Sequence, residues 1–357
     1  MKPFVLPHSQ RVSLRPSISI ASCLVACLVV WILLVLRGCM NEHYRPHGHG
    51  NISFGISSRG NTLVFNAVGL GERDLYLLDL ETHRVTRIAP TPDYEVDPEF
   101  SPDGKSVVYA AGKPGDRADH IFLRSLDGQM VKQLTAEDAN DASPAFSPDG
   151  SLIVFARDKT YNWGGLASNW DWGGVLCVMK ADGTDLREIT NDGSIAIDPH
   201  FSSDGKTILF WSDDPARLYT IATDGSQPPK PLGGFTGREA VYSPDGQAIA
   251  FASGFFAPDQ RISIARADGT GREELMHPGE GKFARPDGGC SHPTFTPDGK
   301  RILFFVESWP SGPSGHPTQS LWEVEIGRGN RREIADSNLF DGPLNRRPAP
   351  PIQKEAP

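Results

Sequence analysis

A six-bladed all-β propeller, built of four-stranded antiparallel blades, is the fold the sequence predicts, and three observations predict it. One string recurs: FSPDGKSVVYA from Phe100, FSPDGSLIVFA from Phe146, FSSDGKTILFW from Phe201, YSPDGQAIAFA from Tyr242 and FTPDGKRILFF from Phe295, with a degenerate copy, ISSRGNTLVFN, from Ile56. The copies begin 41 to 55 residues apart, the size of a propeller blade and too long for leucine-rich or ankyrin units. The 37 Gly and 30 Pro among 357 residues supply many turns.

Each unit reads as four strands. A short strand ends in the aromatic residue. Pro-Asp-Gly then turns tightly, because Pro presets φ and Gly accepts positive φ, and the run Ser106 to Ala110 typifies the second strand. In the second unit the third and fourth strands are His120 to Ser125 and Val131 to Leu134, joined by Asp127-Gly128, a strong hairpin signal repeated as Asp182-Gly183, Asp224-Gly225 and Asp268-Gly269. The first unit supplies Ile52 to Ile56 as its inner strand and the last supplies Arg331 to Ala335 as its outer one, so ring closure needs no exchange between chain ends. A lone blade leaves both faces bare, so the ring must close before it is stable.

The segment before the repeats is a separate object. Residues 1–17 are basic, with Lys2, Arg11 and Arg15, and 18–37 carry an uncharged apolar run from Ile18 to Leu36 about long enough to cross a bilayer as one helix. Basic residues ahead of the run place the N-terminus in the cytoplasm and the propeller on the extracytoplasmic, periplasmic side. The run is retained as a signal anchor, cut as a signal peptide, or cut and lipidated at Cys39, since Leu36-Arg37-Gly38-Cys39 resembles a lipobox with Arg37 out of pattern. A linker (38–51), the propeller (52–336) and a Pro-rich tail (337–357) complete the chain.

Composition narrows the partners. A net charge of -9 argues against nucleic acid, which is held by clustered Lys and Arg. Of five Cys, only Cys177 and Cys290 enter the propeller, in different repeats, and they read as two separate, partly buried thiols.

The F-S-P-D-G-K motif with its later Asp-Gly resembles the WD-like repeat of the TolB-like propellers, over roughly residues 52 to 335. The α/β domain that precedes the propeller in TolB has no counterpart in the short linker. The resemblance implies a propeller in the cell envelope and leaves function open among interaction proteins, peptidase propellers and oligogalacturonate lyases.

Nucleophile-elbow, Walker, Rossmann and HExxH patterns are absent. His83, His120, His200, His277, His292 and His316 show no ligand spacing, and His43, His47 and His49 fit a solvated linker, so neither a metal nor another cofactor is expected. The expectation is a non-catalytic module that binds a protein partner of the envelope, the alternative a glycan-binding or polysaccharide-active protein. An enzyme would converge an acid and a base in one pocket.

Two candidate binding features remain. Tyr161, Trp163, Trp170 and Trp172 crowd one insertion, where aromatic side chains either grip a partner or sugar or form the loop's own small core. Hairpin geometry puts the Pro-Asp-Gly and Asp-Gly turns on one face and the long insertions (158–174, 276–290 and 307–319) on the other, where binding usually resides. Stepping back three positions from each aromatic selects Ser53, Asp97, Ser143, Asp198, Glu239 and His292, one per blade. Symmetry places them in a ring, and they either line an acidic channel mouth or cap the inner strands through backbone hydrogen bonds.

Overall fold

The computed structural model describes residues 53–336 except 69–72, 90, 92, 114–117, 138, 160–173, 191–194, 214, 255–259, 277–288 and 309–317. Residues 1–50 form a unit of their own, and the apolar run, Cys39 and the Trp-rich insertion all lie outside the described residues. Among the described residues no helix is long and apolar enough to cross a membrane.

Among the described residues, twenty-four strands form six four-stranded sheets, each an antiparallel meander of consecutive strands. The first blade comprises Phe54–Ile56, Thr62–Val68, Arg73–Asp79 and Val85–Arg87, and the sixth comprises Gly289–Phe295, Arg301–Ser308, Thr318–Glu325 and Arg331–Ala335. Both are built from contiguous chain, so closure is by packing rather than by strand exchange. The first inner strand is three residues long where the repeat suggested five. The other inner strands run to five, six or seven residues, beginning at Tyr94, Asn140, Ala196, Arg238 and Gly289.

The second strand of each blade is apolar on both sides because both are buried. In blade two, Val107, Tyr109 and Ala111 pack with Val64 and Leu75 of blade one, while Val108 and Ala110 pack with Phe155 and Cys177 of blade three. Every neighbouring pair of blades shares such a core, including the closing pair, where Leu63, Phe65 and Tyr76 meet Leu303, Phe305 and Leu321, and Phe54 meets Phe305 edge-on at 5.0 Å. Hydrophobic burial between blades, the dominant favourable term in folding, therefore runs unbroken around the ring.

The repeated turn is held by its own side chains. In five blades a Ser or Thr hydroxyl donates to the turn Asp at 2.6–2.7 Å, and the main-chain N–H two residues beyond the Asp donates to the same oxygen at 3.0–3.1 Å. These bonds hold the turn carboxyls below the usual range, Asp149 at about 2. Gly60 shows why the turn ends in glycine: φ is +72°, and an added Cβ would lie 3.1 Å from Pro297 in the sixth blade's turn.

Cys177 and Cys290 are both free and buried, and burial pushes the Cys177 thiol up to about 12.

Candidate functional site: the channel mouth

The inner strands enclose a central cavity of about 430 Å³. Ser53, Asp97, Ser143, Asp198, Glu239 and His292 all line it, one from each blade, together with Glu99 and His200 two residues further along their strands. No Lys or Arg is among the lining residues.

The local backbone that presents them is unusual. Asp97, Ser143, Asp198, Glu239 and His292 all have φ between +50° and +52°. Each coincides with a register shift in the pairing of its inner strand, a β-bulge that leaves the residue without a ladder partner. Four of the five precede a proline, which disfavours the right-handed helical region but leaves the left-handed one to context. A non-glycine residue held there costs on the order of 1–3 kcal/mol and persists only where its surroundings hold it.

The surroundings are the neighbouring blades. The Asp97 N–H donates to Ser53 Oγ at 3.0 Å, the Ser143 N–H donates to Asp97 Oδ2 at 3.2 Å, and the His292 N–H donates to Glu239 Oε2 at 2.6 Å. Each side chain thus accepts from the exposed main-chain edge of the next blade. One layer deeper, the Phe146 N–H donates to Glu99 Oε1 at 3.4 Å. Ser53, Asp97 and Glu239 thus line the cavity and also satisfy inner-strand backbone that has no ladder partner.

Charge is graded along the channel. Burial pushes the Asp198 carboxyl up to about 6, with Glu239 adding to the rise and Arg238 and His292 opposing it. Two residues further along the strands, burial alone pushes Glu99 up to about 8 against its bond from Phe146, and burial pushes the His200 imidazole down. At neutral pH Glu99 and His200 are therefore uncharged, whereas Asp198 is mostly ionised.

Behind the mouth, His292 Nε2 lies 3.7 Å from Glu239 Oε1. Glu307, buried at the end of its strand, accepts from Gln319 Nε2 at 2.5 Å, and burial pushes it up to about 7. Glu99, His200, Glu307 and Gln319 were not singled out from sequence. The first two carried a signal, since they stand two positions after ring residues. The other two carried none, because their neighbours come from another strand or blade. Among the described residues no group of three or more His, Cys, Asp or Glu is arranged to hold a metal.

Residues 49–162 match the family described as the TolB beta propeller domain. The Tol-Pal system protein TolB of Francisella tularensis subsp. mediasiatica is 30% identical over 79 residues, 22% of this chain and 18% of that protein, so the match spans less than a fifth of the relative's length. Among solved structures, TolB from Acinetobacter baumannii superposes with a TM-score of 0.57 at 18% identity, over 82% of this chain and 65% of that one. Oligogalacturonate lyase from Vibrio parahaemolyticus superposes with a TM-score of 0.55 at 18% identity, over 80% and 77%. At such identities the superpositions show the shared propeller alone.

Proposed function

Taking the domain as a TolB-like six-bladed propeller, we propose that it is a protein-binding module of the cell envelope that receives a basic segment of its partner at the acidic channel mouth. The observation that carries this reading is the lining itself: Asp97, Asp198 and Glu239, from three blades, face one cavity that no Lys or Arg among the described residues lines. A concave site with one sign of charge and low-dielectric walls concentrates field and attracts the opposite charge. The partial sequence match to a Tol-Pal protein supports an envelope setting, and the basic-then-apolar segment 1–37 supports a tether that holds the propeller on the periplasmic side. The Trp-rich insertion would add aromatic anchors for the partner.

The test is site-specific photo-crosslinking in intact cells from position 241, where Val241 lines the channel. A discrete protein adduct that disappears when Asp97, Asp198 and Glu239 are neutralised supports the reading. An adduct indifferent to those charges contradicts it.

A second reading, a polysaccharide-active protein, draws on the cluster of Glu239, His292 and Glu307, in which a basic imidazole stands beside one carboxylate and one carboxyl raised to about 7. Release of unsaturated oligosaccharide from acidic glycans, followed by ultraviolet absorbance and abolished by His292→Ala, would favour it over the binding module.

A further inference from the structure

The three mouth carboxylates are unequally satisfied. Asp97 accepts from the main-chain N–H of Ser143, and Glu239 accepts from the His292 N–H while facing its imidazole; the single Ser143 hydroxyl proton can go to Asp97 or to Asp198, each 3.4 Å away. Asp198 differs. Among the described residues its one hydrogen bond comes from Ser143 Oγ at 3.4 Å, and it has no ion pair within 4 Å. The nearby cation, Arg238, is engaged elsewhere, its guanidinium 4.3 Å from the centroid of the Trp211 ring. A half-buried carboxylate thus faces the cavity with most of its lone pairs unused.

We propose that Asp198 is a proton-operated switch in the channel mouth: ionised, it completes the negative ring that holds a cationic segment, and protonated, it lets that segment go. This rests on the reading of the mouth as a capture site and adds its regulation. The groups that face Asp198 are Glu239 and Arg238 from blade five, His292 from blade six, Asp97 from blade two and the Ser143 hydroxyl from blade three. Burial, reinforced by Glu239, sets its carboxyl at about 6, so it is mostly protonated at pH 5 and mostly ionised at pH 7.5. Glu307 sits behind His292 as a second proton site on the same side of the ring, at about 7. The other titratable pair of the lining takes no part: Glu99, at about 8, stays largely protonated and His200, pushed down by burial, largely neutral near pH 7.5. The change in charge is confined to the mouth, and its sign is fixed. Capture strengthens as pH rises.

The experiment is fluorescence anisotropy of a fluorescein-labelled lysine-rich hexapeptide against the full-length protein at low ionic strength. Lysine stays charged throughout, so any pH dependence belongs to the protein. Wild type binds roughly tenfold tighter at pH 7.5 than at pH 5, the effect of one charge at close range in a site of intermediate dielectric. Asp198→Asn keeps the shape and the positive φ, which Asn accepts readily, binds more weakly than wild type at pH 7.5, and keeps only the smaller pH dependence that the more distant Glu307 supplies. Should that variant not fold, Asp198→Ser places there the residue that Ser143 already is in blade three. Equal affinity of wild type at the two pH values, or full pH dependence in the neutral variant, overturns the switch and leaves capture standing. No binding by wild type at either pH overturns the capture reading itself, and the switch with it.

Discussion

The main-chain N–H of His292 donates to Glu239 Oε2 at 2.6 Å, so a carboxylate of blade five closes the bulged inner edge of blade six. The same relation joins Asp97 to Ser143 and Ser53 to Asp97. Residues that the functional reading treats as ligands for a partner are therefore also the lacing of the ring, and the two roles can be separated by choosing substitutions that keep the acceptor and remove the charge.

Glu239→Ala should lower stability by about 1–3 kcal/mol, the cost of leaving a buried N–H without its acceptor. Glu239→Gln keeps an amide oxygen in place and should lose less than half as much. Urea unfolding monitored by tryptophan fluorescence gives both values. Equal losses would mean that charge, and not the acceptor, holds the edge.

A second prediction concerns the one fully buried cation among the described residues. Arg157, 1% exposed, pairs across its blade with Asp141, 0% exposed, through two bonds of 2.7 and 2.9 Å, and reaches Glu137 as well. Asp141→Ala strands the guanidinium and should cost about 3–5 kcal/mol, whereas the double change Arg157→Met with Asp141→Leu should recover most of that loss. Denaturant midpoints of the three proteins decide it. A double variant as unstable as the single one would show that the pair does more than neutralise itself.

Glu99 gives stability a pH dependence of known sign. Its folded carboxyl, at about 8, lies above the unfolded value, so the folded state binds the proton more tightly. The stability it contributes is fully present below about pH 4 and is lost as pH rises towards 8. Thermal unfolding of Glu99→Gln should be flatter than wild type across that window, so that the variant gains on wild type as pH rises. A wild-type midpoint that does not fall relative to the variant over the same range would contradict the protonated, buried carboxyl.

The two propeller cysteines should be silent. Cys177 and Cys290 are buried in separate inter-blade cores and lie far from thiolate character, Cys177 at about 12. Iodoacetamide labelling of the native protein followed by peptide mass spectrometry should leave both unmodified, and unfolding should expose both as free thiols. A disulfide-linked pair of peptides would overturn this assignment.

The fold was legible because the turn and the core write themselves into every repeat. Ser-Pro-Asp-Gly is required by the paired bonds to Asp103 and its counterparts, and the apolar second strand is required by burial on both faces. The ring positions were legible by symmetry alone. Their positive φ was not, since Asp97-Pro98 and its equivalents read in sequence as extended, pre-proline chain. Glu307 was invisible for a different reason: what raises its carboxyl is burial, with Glu239 of the neighbouring blade adding to it and Gln319 and the His292 imidazole opposing, an environment assembled only when blades five and six close on each other. The insertion holding Trp163, Trp170 and Trp172 lies outside the described residues, and its expected role stays a proposal.

The central claim is that the carboxylates of the channel mouth hold a basic partner segment. The most direct measurement is the affinity of the full-length protein for the labelled lysine-rich peptide at pH 7.5, before and after the combined change Asp97→Asn, Asp198→Asn and Glu239→Gln, with circular dichroism confirming that both proteins are folded. Removing three charges from one low-dielectric mouth should weaken binding by roughly a hundredfold or more at low salt, and added salt should weaken the wild type towards the variant. A folded variant that binds the peptide as tightly as wild type would contradict the account.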